Sequence, residues 1–186
     1  MKRVLAVLAL SMSGPLAAAD TYVIDPAHTL PSFEVSHFGF STTRGGFTRT
    51  EGTITLDLKK KTGAIDVRID AASLQTAVPK LDAHLKNPDF FDVEMYPAIT
   101  FKSKSLKFDG DRLVAVTGDL DMHGVSKPVT LEVTHFRCGE HPIKKVPHCG
   151  ADAVATIKRS DWGITTYSPA IGEDVTLKIQ VEASRQ

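Results

Sequence analysis

Apolar and polar residues alternate along most of this chain with a period of two. Ile54, Leu56 and Leu58 are interleaved with Thr53, Thr55 and Asp57, and Ile65, Val67 and Ile69 with Asp66, Arg68 and Asp70. Val129, Leu131 and Val133 alternate with Thr130, Glu132 and Thr134, and Val175, Leu177, Ile179 and Val181 with Thr176, Lys178, Gln180 and Glu182. Successive side chains of a strand point to opposite faces, so each segment predicts a strand with one dry and one wet face. Residues 21–24, 32–40, 98–108, 113–122 and 150–158 predict further strands. Turn residues separate them at Lys61-Thr62-Gly63, Asp109-Gly110-Asp111 and His123-Gly124.

One segment departs from this period. Residues 79–87 carry Leu81 and Leu85 at i, i+4, with Asp82 and Lys86 beside them and Pro79 in the position a first helical turn tolerates. This predicts a short helix between the fourth and fifth strands, ended by Asn87-Pro88-Asp89 ahead of Phe90-Phe91. Eight or nine antiparallel strands, each with one dry face, predict an all-β fold, either a closed barrel or a two-sheet sandwich. Closure removes the exposed edges that invite aggregation. No fixed-period repeat, low-complexity tract or linker interrupts the pattern, so residues 20–186 read as one domain.

The first 19 residues do not belong to that pattern. Lys2 and Arg3, the apolar run 4–10, the break at Ser13-Gly14-Pro15 and the small residues Ala17-Ala18-Ala19 predict a secretory leader cut near Asp20. The apolar run is far shorter than the roughly 20 residues a spanning helix needs. The leader carries two cations and no acidic residue, so its loss takes the chain from a formal charge of zero to −2. That balance offers no electrostatic basis for nucleic-acid binding. A periplasmic or secreted location changes the reading of Cys138 and Cys149. In an oxidising compartment they are expected to pair across the polar stretch GEHPIKKVPH. His135, His141 and His148 surround that loop in no recognised metal-ligand spacing, and no metal is expected. His28 and His123 lie at turns, and His84 lies on the short helix.

The dry faces leave two possibilities open. Ala151, Ala153 and Ala155 stand on one face of a single strand, opposite long side chains such as Phe33, Val35, Phe101, Leu131 and Leu177. Small residues on one wall favour a hollow, whereas phenylalanines from opposite strands would fill it. Catalytic motifs do not decide the matter. There is no G-x-S-x-G, no H-E-x-x-H and no phosphate-binding glycine loop.

Four blocks carry a family resemblance. Asp25-Pro26-Ala27-His28-Thr29 followed by Phe33-x-Val35-x-His37-Phe38-Gly39-Phe40-Ser41 resembles the opening of the YceI-like family. LDAHLKNPDFFDVEMYPAITFKS (81–103), GDLDMHGVSKPVTLEV (118–133) and IKRSDWGI (157–164) resemble three further blocks of that family, in the same order. Trp162 stands where the family often shows Phe, and the cysteine pair occurs in only some members. The resemblance implies a lipocalin-like antiparallel barrel of about eight strands, exported in bacteria. It also implies an elongated apolar cavity for a polyisoprenoid, isoprenoid quinone or fatty-acid-like lipid, with no catalytic activity and no cofactor. On this reading the cavity wall comprises Phe33, Val35, His37, Phe40, Phe101, Leu131, Ala153, Ala155 and Trp162. Arg44, Arg159 and Asp161 are candidates for the ligand headgroup, since guanidinium pairs well with oxyanions. For Arg159 and Asp161 the alternative is a structural ion pair between the last strands. The expected partner is a hydrophobic small molecule. Transient contact with a membrane or membrane protein, and a homodimer through an exposed edge or apolar end, are compatible with it. Two other classes stay open: an enzyme acting on a lipid-like substrate in the same cavity, and a stress-response interaction module with a filled core.

Overall fold

In the computed structural model, which describes residues 19–185, the period-two segments form a closed antiparallel barrel. In chain order the elements are β1 (Asp20–Ile24), β2 (Leu30–His37), β3 (Ser41–Phe47), β4 (Thr50–Asp57), β5 (Thr62–Asp70) and the two-residue β6 (Leu74–Gln75). They continue with α1 (Pro79–Leu85), β7 (Ala98–Asp109), β8 (Arg112–Met122), β9 (Val125–Glu140), β10 (Pro147–Lys158) and β11 (Ile171–Arg185). Single 3-10 turns occupy Ala71–Ser73 and Arg159–Trp162. The ring runs β1-β4-β5-β7-β8-β9-β10-β11 and closes by pairing β11 with β1. The expected leader, residues 1–19, lies outside the described residues except for Ala19. Among the described residues no helix is long and apolar enough to cross a membrane.

The closing seam is shared. The end of β11 (residues 183–185) pairs with β1, while residues 171–180 of the same strand pair with β2. Glu182 lies where the partner changes. Its backbone is satisfied there by Thr29, whose hydroxyl donates to Glu182 O and accepts from Glu182 N, and by the Asp25 N–H at 2.8 Å. A buried strand cannot leave such groups unpaired, so Thr29 completes the ladder across the junction.

Three features differ from the alternation-based expectation. The strand predicted over 32–40 ends at His37, because Phe38 and Gly39 adopt φ of 52° and 71° and turn the chain back into β3. That strand, STTRGGF, has almost no apolar alternation to announce it. Gly45 is required in it, since a Cβ there would stand 2.5 Å from the Phe33 ring. With β3 and β6 added, the helix lies between the sixth and seventh strands rather than the fourth and fifth. The third difference is in β9. A register shift in its pairing with β10, between Asp152 and Ala153, leaves Thr134 and His135 both exposed, and the inward set changes from Val129, Leu131 and Val133 to Phe136 and Cys138. A bulge inserts one residue and so flips parity beyond it.

The barrel cavity as candidate functional site

The inward faces do not close on one another. They enclose a cavity of about 240 Å³. Its wall runs from Leu85, Phe90, Phe91 and Ile164 at the helix end to Tyr22, Leu56, Cys149 and Ala183 at the other. α1 and the following loop act as one stopper. Pro79 starts the helix, Asp82 accepts from the N–H and the hydroxyl of Thr76 at 2.7 and 2.6 Å, and the Phe91 N–H bonds back to Leu85 O. The Phe91 ring then packs edge-on to Phe47, with centroids 5.5 Å apart, and within 6.3 Å of Phe33.

Of the residues expected on the wall, Phe33, Val35, Phe101, Leu131 and Ala153 line the cavity. Ala151 lines it as well, whereas Ala155 is partly buried and packs against the core without reaching the cavity surface. Trp162 is also absent from the lining. It is 2% exposed and its Nε1 donates to Leu120 O at 3.2 Å, while the His123 Nδ1–H bonds the Trp162 carbonyl at 2.9 Å. This tryptophan ties the final 3-10 turn to the β8–β9 hairpin. His37 is exposed at the strand end, its ring against Phe38. Phe40 is 93% exposed at the turn, because the chain reverses two residues before it. Neither stands on the cavity wall.

The headgroup candidates separate in the same way. Arg44 is an exterior residue held by Glu34 at 2.8 Å, and Asp161 is an exterior residue 3.4 Å from Lys127. The expected Arg159–Asp161 pair is therefore replaced by other contacts. Arg159 is 5% exposed and lines the cavity, and its guanidinium donates to four carbonyls, those of Gly172 (2.9 Å), Ile164 (3.0 Å), Thr166 (2.9 Å) and Ile171 (3.1 Å). It clamps the loop between the last 3-10 turn and β11. Glu173 holds the same loop from outside, accepting from Ser160 N and Ser168 Oγ. Hydrogen bonding from Ser160 and Ser168, helped by the charge of Arg159, holds its carboxyl below the ordinary range.

Cys138 and Cys149 form a disulfide between directly paired positions of β9 and β10, with Cα atoms 4.1 Å apart. Beside it, on the outer face, His148 Nδ1 lies 2.9 Å from Ser184 Oγ and its Nε2 lies 3.0 Å from Glu182 Oε2. A serine, a histidine and a carboxylate are thus connected. They are on the opposite side of the wall from the cavity, since their neighbours Cys149 and Ala183 face inward. They staple β10 to β11. Nothing in the one-dimensional pattern announced this trio, because strand pairing alone brings residue 148 against 184. Among the described residues no group of three or more His, Cys, Asp or Glu could hold a metal.

Comparisons agree with this architecture. Residues 22–183 match the model of the YceI-like domain. Protein YceI of Escherichia coli O157:H7 is 37% identical over 177 residues, covering 94% of this chain and 91% of that protein. The crystal structure of BcnA from Burkholderia cenocepacia superposes with a TM-score of 0.74 at 24% identity, covering 86% of this chain and 98% of the other. A polyisoprenoid binding domain from Saccharophagus degradans, implicated in plant cell wall breakdown, gives a TM-score of 0.67 at 18% identity, with 89% and 98% coverage. A family model that spans nearly every described residue, on a barrel of matching topology, makes this chain a member of the YceI-like family.

Proposed function

We propose that the protein is an exported, non-enzymatic carrier that holds one long-chain amphiphile, a polyisoprenoid, isoprenoid quinone or fatty-acid-like lipid, inside the barrel. The observation that carries this reading is the continuous apolar lining from Phe90 and Phe91 to Leu56 and Ala183. Burying apolar surface stabilises by roughly 25 cal/mol per Å², so a chain insoluble in water gains its affinity from such a wall without any strong polar contact. The cavity of about 240 Å³ is lined from one end of the barrel to the other, an elongated shape that matches a slender chain better than a bulky polycycle. Ala151 and Ala153 add bore where neighbouring strands place Val, Ile or Phe. The name of the Saccharophagus degradans domain supports the isoprenoid class.

Polarity supports an orientation. Of the three headgroup candidates only Arg159 lines the cavity, and its charge is met by carbonyl dipoles rather than a carboxylate. Its field favours an electron-rich headgroup at the helix end. The disulfide and the leader read over residues 1–19 support export with cleavage near Asp20. Native mass spectrometry of protein purified from its exported pool tests the reading. The expected spectrum contains a population heavier by one long-chain amphiphile, lost on organic extraction and restored by a polyisoprenoid. Protein that carries no such mass and takes up no polyisoprenoid overturns it.

A further inference from the structure

The polar side chains along the cavity differ in one respect. Thr29 exchanges hydrogen bonds with the Glu182 backbone, Ser32 donates to Lys178 O at 2.8 Å, and Arg159 is engaged with four carbonyls. Thr50 has no such arrangement. It is 4% exposed, it lines the cavity, and its Oγ1 is the buried side-chain oxygen or nitrogen left without a hydrogen-bond partner among the described residues. Leaving a buried hydroxyl unpaired costs more than replacing it by a methyl group of the same shape. Valine at this position would continue the dry face of β4 formed by Ile54 and Leu56, so packing alone gives no reason for threonine.

Its place in the barrel is also informative. Thr50 pairs with Ile69, Ile69 pairs with Ile99, and all three lie at the helix end of their strands, the end that Arg159 also lines. The opposite end is closed by Leu56, Cys149 and Ala183. The hydroxyl hydrogen of a threonine rotates about the Cβ–Oγ1 bond and its oxygen carries two lone pairs, so this side chain can donate to or accept from an incoming group.

We propose, resting on the carrier reading, that Thr50 is a specificity-determining residue whose hydroxyl hydrogen-bonds an uncharged oxygen of the ligand. The barrel thereby selects oxygen-bearing chains over pure hydrocarbons and seats the polar group at the α1 end. Serine retains the hydroxyl and valine removes it with nearly unchanged shape, so the pair Thr50→Ser and Thr50→Val separates hydrogen bonding from packing.

The test uses geranylgeraniol and the hydrocarbon of the same carbon skeleton as probes, each competing with a polarity-sensitive dye in the delipidated protein. The wild type is expected to prefer the alcohol. Thr50→Val is expected to lose about tenfold in affinity for the alcohol and none for the hydrocarbon, with Thr50→Ser close to wild type. The same Thr50→Val variant is expected to unfold at a denaturant midpoint equal to or above that of the wild type, because it removes an unpaired buried hydroxyl. A Thr50→Val variant that binds both probes as the wild type does overturns the proposal and leaves the carrier reading intact. A wild type that binds neither probe, and no other long-chain amphiphile, overturns both.

Discussion

The two ends of the barrel are closed by different means. At the disulfide end closure is regular. β1 pairs with β4 and β11, β9 pairs with β10, and one covalent bond joins Cys138 to Cys149 above Tyr22, Leu56 and Ala183. At the helix end no strand closes the opening. α1, Phe90, Phe91, Trp162 and the loop clamped by Arg159 are held there by side-chain packing and side-chain hydrogen bonds. Ladder pairing is repetitive and tolerant of single changes, whereas an irregular stopper depends on particular side chains. The helix end is therefore expected to be the closure more sensitive to a single substitution.

The sharpest way to break that contrast is Arg159→Met. It keeps the stem but removes four donors and leaves the carbonyls of Ile164, Thr166, Ile171 and Gly172 without them. The expected loss is about 3 kcal/mol or more in urea unfolding, since buried acceptors deprived of a charged donor are costly. A loss below about 1 kcal/mol would show that the loop holds without its clamp. Removing the disulfide by replacing Cys138 and Cys149 together with alanine should cost less, about 2–3 kcal/mol for so short a closed loop. Binding of a polyisoprenoid should survive that change, because strand pairing maintains this end. Loss of binding would show that the disulfide, and not strand pairing, maintains this end.

Ala153→Phe sharpens the comparison between hollow and wall. Overpacking a solid core costs typically about 1–3 kcal/mol. In the cavity the ring has room, so the denaturant midpoint of delipidated protein is expected to move by less than that range while long-chain affinity falls. A large stability loss with unchanged binding would contradict the carrier reading of this wall. The smallest effect concerns Asp25, beside the disulfide-end loop. Its carboxyl accepts from Lys144 Nζ at 2.9 Å, from His28 and from the Ala27 N–H, and the Lys144 hydrogen bond is the leading cause that lowers its pKa from 3.8 to about 2. The unfolded chain therefore binds the extra proton first as pH falls. This contribution to stability is full above pH 3.8 and is lost on descending to about 2. Lys144→Met should flatten the acid limb of the stability profile between those values, and an unchanged limb would show that another carboxylate dominates it.

What alternation could report was the dry face of each regular strand, because backbone pleating alone sets which side chains share a side. The all-β class, the helix near residue 79 and inward positions such as Phe33, Phe101 and Leu131 were legible on that basis, the family resemblance chose the barrel over the sandwich, and the export reading brought the two cysteines together. The pattern failed where the pleat is interrupted. Phe38 and Gly39 reverse the chain and put Phe40 in solvent, and the bulge at Thr134 reverses the parity of β9. It was also silent wherever a partner is set by an irregular loop or by a strand remote in sequence. Arg159 finds the carbonyls of the loop that follows it instead of Asp161, and Trp162 reaches Leu120 instead of the cavity. Thr50 is left with a hydroxyl that no neighbour satisfies. Whether a polar group has a partner depends on which distant atoms the closed barrel brings within about 3 Å, and that distance exists only once the chain has folded.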